Sequence, residues 1–131
     1  FNHDQVGYNY RMPNLNAALA CAQLEMLDQF ILTKRDLASQ YKKLFDNLGL
    51  EFMEEPPNTY SNYWLNNVLF SDRKEREAFL EYSNQRKINT RPSWTLMNKL
   101  PMFSNSICGD LSNAKELEDR LVSLPSSVKI G

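Results

Sequence analysis

The stretch FNHDQVGYNYRMPNLNAALACAQLEML, residues 1–27, joins a polar, aromatic loop to a long apolar helix at Pro13, and the reading of the whole fold starts from that junction. Proline suits the first turn of a helix, where its missing N–H would have no partner. Just ahead of it stand His3, Asn9 and Arg11. Asn and Arg together donate several hydrogen bonds, Arg through a rigid fork matched to phosphate or carboxylate. The free amides and dipole of a helix start also favour an anion. An anion site is one reading of this loop; a helix cap and a surface ion pair are the other.

Outward from the junction, residues 14–48 contain no Pro or Gly, are rich in Leu, Ala, Gln, Glu and Lys, and are closed by Gly49. The pattern predicts one long helix or two nearly collinear ones. In its second half Leu37, Tyr41, Leu44 and Leu48 recur at helical spacing, with Lys34, Arg35, Lys42 and Lys43 on other faces. The first half is apolar over a wider arc, which predicts burial on two sides by a neighbouring domain or subunit, and self-association if that cover is missing.

Further on, residues 50–53 and 63–70 have strand composition, separated by the turn-forming Glu54-Glu55-Pro56-Pro57-Asn58. A helix follows from Asp72 to about Arg86, with Asp72 as N-cap and Glu75 three residues on. Residues 88–90 read as a brief strand ended by Pro92, and residues 93–109 as an irregular segment too apolar for a solvated linker and expected to be packed against something. Asp110 or Ser112 caps a last helix ending near Leu121, and Leu124-Pro125-Ser126-Ser127 closes the domain. The expected class is α+β: a long N-terminal helix and a small, mainly antiparallel sheet with helices on one face.

Composition narrows the chemistry. The 131 residues carry 42% hydrophobic content and a formal charge of -1, enough apolar material for a core and no basic excess for nucleic acid or a membrane surface. Two cysteines and one histidine at unrelated positions offer neither a disulfide scaffold nor a metal site, and a cytoplasmic setting is expected. No Ser/His/Asp set and no glycine-rich phosphate loop is visible. Two aromatic-polar clusters remain, Asn62-Tyr63-Trp64 and Arg91-Pro92-Ser93-Trp94. Rings beside hydrogen-bonding groups build sugar and nucleotide pockets, and also ordinary cores. Arg91, held before a proline, can present its fork to a phosphate or to a structural carboxylate.

The residues GYNYRMPNLNAA at 7–18, QLE at 23–25, Lys34-Arg35 and Tyr41 resemble the signature of the DegT/DnrJ/EryC1/StrS family of pyridoxal-phosphate-dependent sugar aminotransferases. SNYWLN at 61–66, TRPSWTLMNKLPMF at 90–103 and LVSLPSS at 121–127 extend the resemblance over the whole chain, most like the branch for legionaminic acid, bacillosamine and related bacterial surface sugars. The resemblance implies that residues 1–131 are the C-terminal small domain of a fold-type I enzyme, with the lysine that forms the Schiff base outside the chain. No catalytic residue is then expected here, and the chain alone should be inactive. Asn9 matches the family asparagine that reaches across a homodimer interface to the cofactor phosphate, and Arg11 matches a nearby arginine on the same loop, close to the anionic groups of the cofactor site. Arg91 and Trp94 resemble positions near the sugar nucleotide. Asn98 stands where many relatives have histidine, and cannot take up a proton near neutral pH. The implied reaction converts a keto sugar nucleotide, at the 4-position and with glutamate as donor, to its amino sugar in surface glycan biosynthesis. A non-catalytic remnant serving as an interaction or regulatory subunit is the rival expectation, and a simple carbohydrate-binding module a third.

Overall fold

Residues Leu121–Leu124, expected to end a helix and close the domain, instead form an internal strand of the sheet. The computed structural model describes residues 3–128. In chain order the elements are α1 (Asn14–Glu25), α2 (Leu27–Asn47), β1 (Glu51–Phe52), β2 (Asn66–Leu69), α3 (Arg73–Gln85), β3 (Arg91–Pro92), α4 (Ser112–Arg120) and β4 (Leu121–Leu124). Two 3-10 turns, Met97–Lys99 and Pro101–Phe103, interrupt the segment between β3 and α4. The strands lie in the order β1-β2-β4-β3, every neighbouring pair antiparallel. The α+β expectation therefore holds.

Register explains the two faces. Phe52 pairs with Val68, Val68 with Val122, and Asn66 with Leu124, so these residues and Phe70 alternate onto one face. There they meet Ala38 and Phe45 of α2 and Leu80 of α3 in the buried core. Both helices thus cover the same face of the sheet. The other face carries the cross-strand row Asn67, Ser123, Arg91, in which Ser123 donates a 2.8 Å hydrogen bond to the Asn67 side chain.

Two strand boundaries and the buried face of one helix differ from the sequence reading. Strand β3 is Arg91–Pro92 rather than residues 88–90, because Lys87 takes a positive φ of 62° and turns the chain, so pairing starts only at Arg91. Pro92 is tolerated because β3 is an edge strand. Strand β2 starts at Asn66 rather than Tyr63, whose φ of 43° lies outside the strand region. On α2 the buried residues are Ala38 and Phe45 with Tyr41 packed against them, while Leu44 and Leu48 are exposed. The larger Phe45 ring pulls the stripe one residue round the helix.

The long helix is two helices, broken at Met26. No residue of α1 is buried, and Leu15 is 80% exposed. The N-cap expected for α3 is present: Asp72 accepts from the Glu75 amide at 2.8 Å, while the Glu75 carboxylate takes the Ser71 hydroxyl. For α4 the sequence reading places the cap on Asp110 or Ser112; Leu111 holds the N-cap position with no side-chain cap bond, and the Asp110 carboxylate, two residues ahead of the helix start, accepts both the Ser112 amide and hydroxyl.

Between β1 and β2 the loop is held by Arg35. Its guanidinium donates to both Glu55 carboxylate oxygens, at 2.9 and 2.6 Å, and to the Ser61 carbonyl at 2.7 Å, with the Tyr60 ring 4.2 Å away. Glu55 also accepts the Ser61 amide at 2.6 Å. The Arg35 fork and then that amide hold the Glu55 carboxyl down from its ordinary 4.5 to about 2. A carboxyl lowered by folding stabilises above its unfolded value, and this stabilisation fades as pH falls from about 4.5 through about 2. Glu55→Gln should therefore flatten the acid limb of a plot of thermal midpoint against pH in that window. An unchanged acid limb would mean that the pair contributes nothing.

Candidate functional site

Two members of the polar row on the other face of the sheet border a cleft. Arg91 and Ser123 line it with Pro92, Leu65 and two indoles, Trp64 and Trp94, around a space of about 120 Å³. The indole centroids are 6.2 Å apart with ring planes 23° from parallel. Trp64 and Trp94 are 65% and 55% exposed, so neither serves the core. Two flat apolar faces with an arginine fork and a serine hydroxyl beside them suit a planar or ring-shaped polar ligand.

Arg91 and Trp94, expected at a substrate site, are brought together here. Trp64 joins them, although core packing was the competing reading for its cluster; Tyr63 takes that role, stacking on Phe52 at 6.4 Å. The chain separates the two neighbouring rings by placing Tyr63 in the left-handed region, a backbone cost of about 1–3 kcal/mol for a residue of this kind. Side chains hold the turn on both sides: Ser61 Oγ accepts from the Tyr63 amide at 3.0 Å and Asn62 Oδ1 from the Trp64 amide at 2.9 Å. Ser123 was not found from sequence, because the strand that carries it was not recognised, and Leu65 was read only as part of a strand.

Asn98 does not line this cleft. It sits half-buried in the first 3-10 turn, with its Oδ1 enclosed and without a hydrogen-bond partner among the described residues.

A second cleft of about 390 Å³ continues from Trp64, Leu65 and Arg91 to Lys34, Asn89 and the segment after β4. The Lys34 ammonium donates to three backbone carbonyls: Ser126 at 2.6 Å, Trp64 at 3.2 Å and Tyr63 at 3.4 Å. Burial lowers its pKa from the ordinary lysine value.

Asn9 and Arg11 lie elsewhere, on the extended, exposed loop that leads into α1. Neither lines the Trp64–Trp94 cleft. Tyr8 and Tyr10 stack on each other at 6.0 Å and leave the polar residues between and after them exposed. Pro13 precedes α1 with no side-chain cap, so the first helix amides receive no partner from a neighbouring side chain. Among the described residues neither Arg11 nor these amides has an acidic partner, which leaves them open to an anion.

Among the described residues no group of three or more His, Cys, Asp or Glu could hold a metal ion, and no helix is long and apolar enough to cross a membrane. Cys21 and Cys108 are both exposed free thiols.

The model of the DegT/DnrJ/EryC1/StrS aminotransferase family matches residues 1–131. The chain is 36% identical over 124 residues to GDP-perosamine synthase of Escherichia coli O157:H7, covering 95% of this chain and 34% of that protein. It is 35% identical over 105 residues to GDP-perosamine synthase of Vibrio cholerae, covering 79% and 29%. Against EpsN of Bacillus subtilis (strain 168), a pyridoxal phosphate-dependent aminotransferase by name, identity is 29% over 122 residues, covering 85% and 31%. The chain thus spans about a third of the length of the curated relatives it matches. With a family match over its full length and these relatives beside it, the chain belongs to the DegT/DnrJ/EryC1/StrS aminotransferase family.

Proposed function

We propose that this chain is the C-terminal small domain of a pyridoxal-phosphate-dependent aminotransferase that converts a 4-keto sugar nucleotide to its amino sugar, with glutamate as donor, in bacterial surface polysaccharide biosynthesis. The observation that carries the reading is the cleft of Trp64, Trp94, Arg91 and Ser123 in a chain of this family. Its indole faces suit the base or sugar ring of a nucleotide sugar, and Arg91 suits its diphosphate. The names of two relatives, both GDP-sugar enzymes, support a nucleotide-sugar substrate.

The residues present fit part of the cofactor's needs. Asn9 and Arg11, exposed beside an uncapped helix start, suit its phosphate. Among the described residues covalent attachment has no counterpart: of their lysines only Lys34 lines the clefts around Trp64, and its ammonium is taken up by three carbonyls. The cofactor-holding lysine belongs on this reading to the large domain outside the chain. When bound, the cofactor supplies the electron sink for amine transfer. The chain's own part is to bind and orient: Arg11 and Asn9 neutralise and fix a phosphate, and the indoles and Arg91 hold the nucleotide end so that the keto carbon is presented to the large domain. Exposed Leu15, Leu19 and Leu24 on α1 support cover by that domain or by a second subunit of a homodimer.

The test is to incubate the complete gene product with pyridoxal phosphate, glutamate and a 4-keto sugar nucleoside diphosphate. The expected result is equimolar amino sugar nucleotide and 2-oxoglutarate. A gene product that binds the nucleotide sugar and forms neither product would favour the non-catalytic interaction subunit.

A further inference from the structure

Lys34 stands on α2, outside the Trp64–Trp94 pair, yet its ammonium collects the carbonyls of Tyr63, Trp64 and Ser126, which come from two separate segments. Two of these three belong to the residue with the left-handed backbone and to the indole that follows it. The third belongs to the segment just after β4, whose Ser126 hydroxyl accepts from the Asn66 amide at 2.9 Å and so fixes the start of β2. A single cation therefore ties together the turn that swings Tyr63 into the core and Trp64 out to the cleft. Arg35, next in sequence, grips the Ser61 carbonyl on the other side of the turn. Carbonyl oxygens crowded around one point repel each other unless a cation lies between them, and a compact ammonium with three donors satisfies all three at once.

We propose that Lys34 is a positioning residue for ligand binding: it holds residues 61–66 in the strained turn that presents the Trp64 indole opposite Trp94. The inference rests on the reading of that cleft as the nucleotide subsite and adds to it the residue on which the geometry of the subsite depends. Without the ammonium, the Tyr63 backbone relaxes from its positive φ and the indole loses its place.

The experiment uses the complete gene product with GDP as probe, measuring Kd by calorimetry and cofactor occupancy by absorbance. Trp64→Ala should raise Kd about tenfold, the loss of one stacking surface. Lys34→Met should raise it by a similar factor with cofactor occupancy unchanged, and Lys34→Met/Trp64→Ala should be no worse than the poorer single variant, because both remove the same contact. Lys34→Gln, which keeps an amide donor, should fall between wild type and Lys34→Met, and it decides the matter if Lys34→Met fails to fold. An unchanged Kd in the lysine variants beside a raised one in Trp64→Ala overturns the positioning role and leaves the nucleotide reading standing. So does a double variant in which the two losses multiply. If neither Trp64→Ala nor Trp94→Ala moves Kd, the nucleotide reading of the cleft fails and this inference falls with it.

Discussion

Phe45→Ala should destabilise the chain by about 3–5 kcal/mol, the usual cost of emptying a buried phenylalanine site. Phe45 is 5% exposed and belongs to one buried cluster with Phe52, Val68, Val122 and Leu124, so emptying its site opens the core between α2 and the sheet. Domains of this size are stable by only about 5–15 kcal/mol, and the loss should move the urea midpoint far down at an unchanged slope. Leu44→Ala, on the adjacent residue, should change stability by no more than about 0.5 kcal/mol, since Leu44 is half exposed. Equal losses at the two positions would mean that the helix presents the stripe read from the leucine spacing, and that the packing described for α2 is wrong.

The second large effect concerns the cofactor. In the complete gene product, Arg11→Ala should raise the dissociation constant for pyridoxal phosphate by about 10- to 100-fold, the loss of a charge-assisted contact to phosphate. Its specificity can be checked in the same preparation. Arg11 makes no hydrogen bond or ion pair among the described residues, so the thermal midpoint without cofactor should not move. Arg11→Lys keeps the charge and loses the fork, and should recover only part of the affinity. Unchanged cofactor affinity in Arg11→Ala would remove the loop from the cofactor site.

How far these features could be read from sequence depended on how local their causes are. The two N-terminal helices follow from an unbroken run of helix formers, and the start of α3 from Asp72 and Glu75, all short-range effects. Strand β4 was hidden because LVSL is only four residues long and continues the leucine spacing of α4, so a short apolar run gave no period of its own. Its loss concealed Ser123, and with it part of the border of the cleft. The boundary of β3 moved because the positive φ at Lys87 delays pairing, which residue composition did not reveal. Arg91 and Trp94 were legible as a pair because they are three residues apart. Trp64 was ambiguous, since sequence could not say which of two adjacent rings turns inward. Lys34 read as a residue off the apolar face of α2 and as part of the Lys34-Arg35 family match; its acceptor on Ser126 lies 92 residues away and only the fold brings it near. By residue type Asn9 and Arg11 read either as one side of an anion site or as a cap and a surface ion pair, and the proposal that they bind a phosphate rests on the family.

On the proposed function, this chain supplies phosphate contacts to a cofactor held by a lysine outside it and nucleotide contacts to the substrate. The most direct measurement adds pyridoxal phosphate to the complete gene product and to residues 1–131 alone, and records absorbance at roughly 400–430 nm, where the lysine-bound cofactor absorbs. The account predicts a band in the complete product that disappears when its cofactor-holding lysine is replaced, and no such band in residues 1–131. A band formed by residues 1–131 alone, or its absence from the complete product, would contradict it.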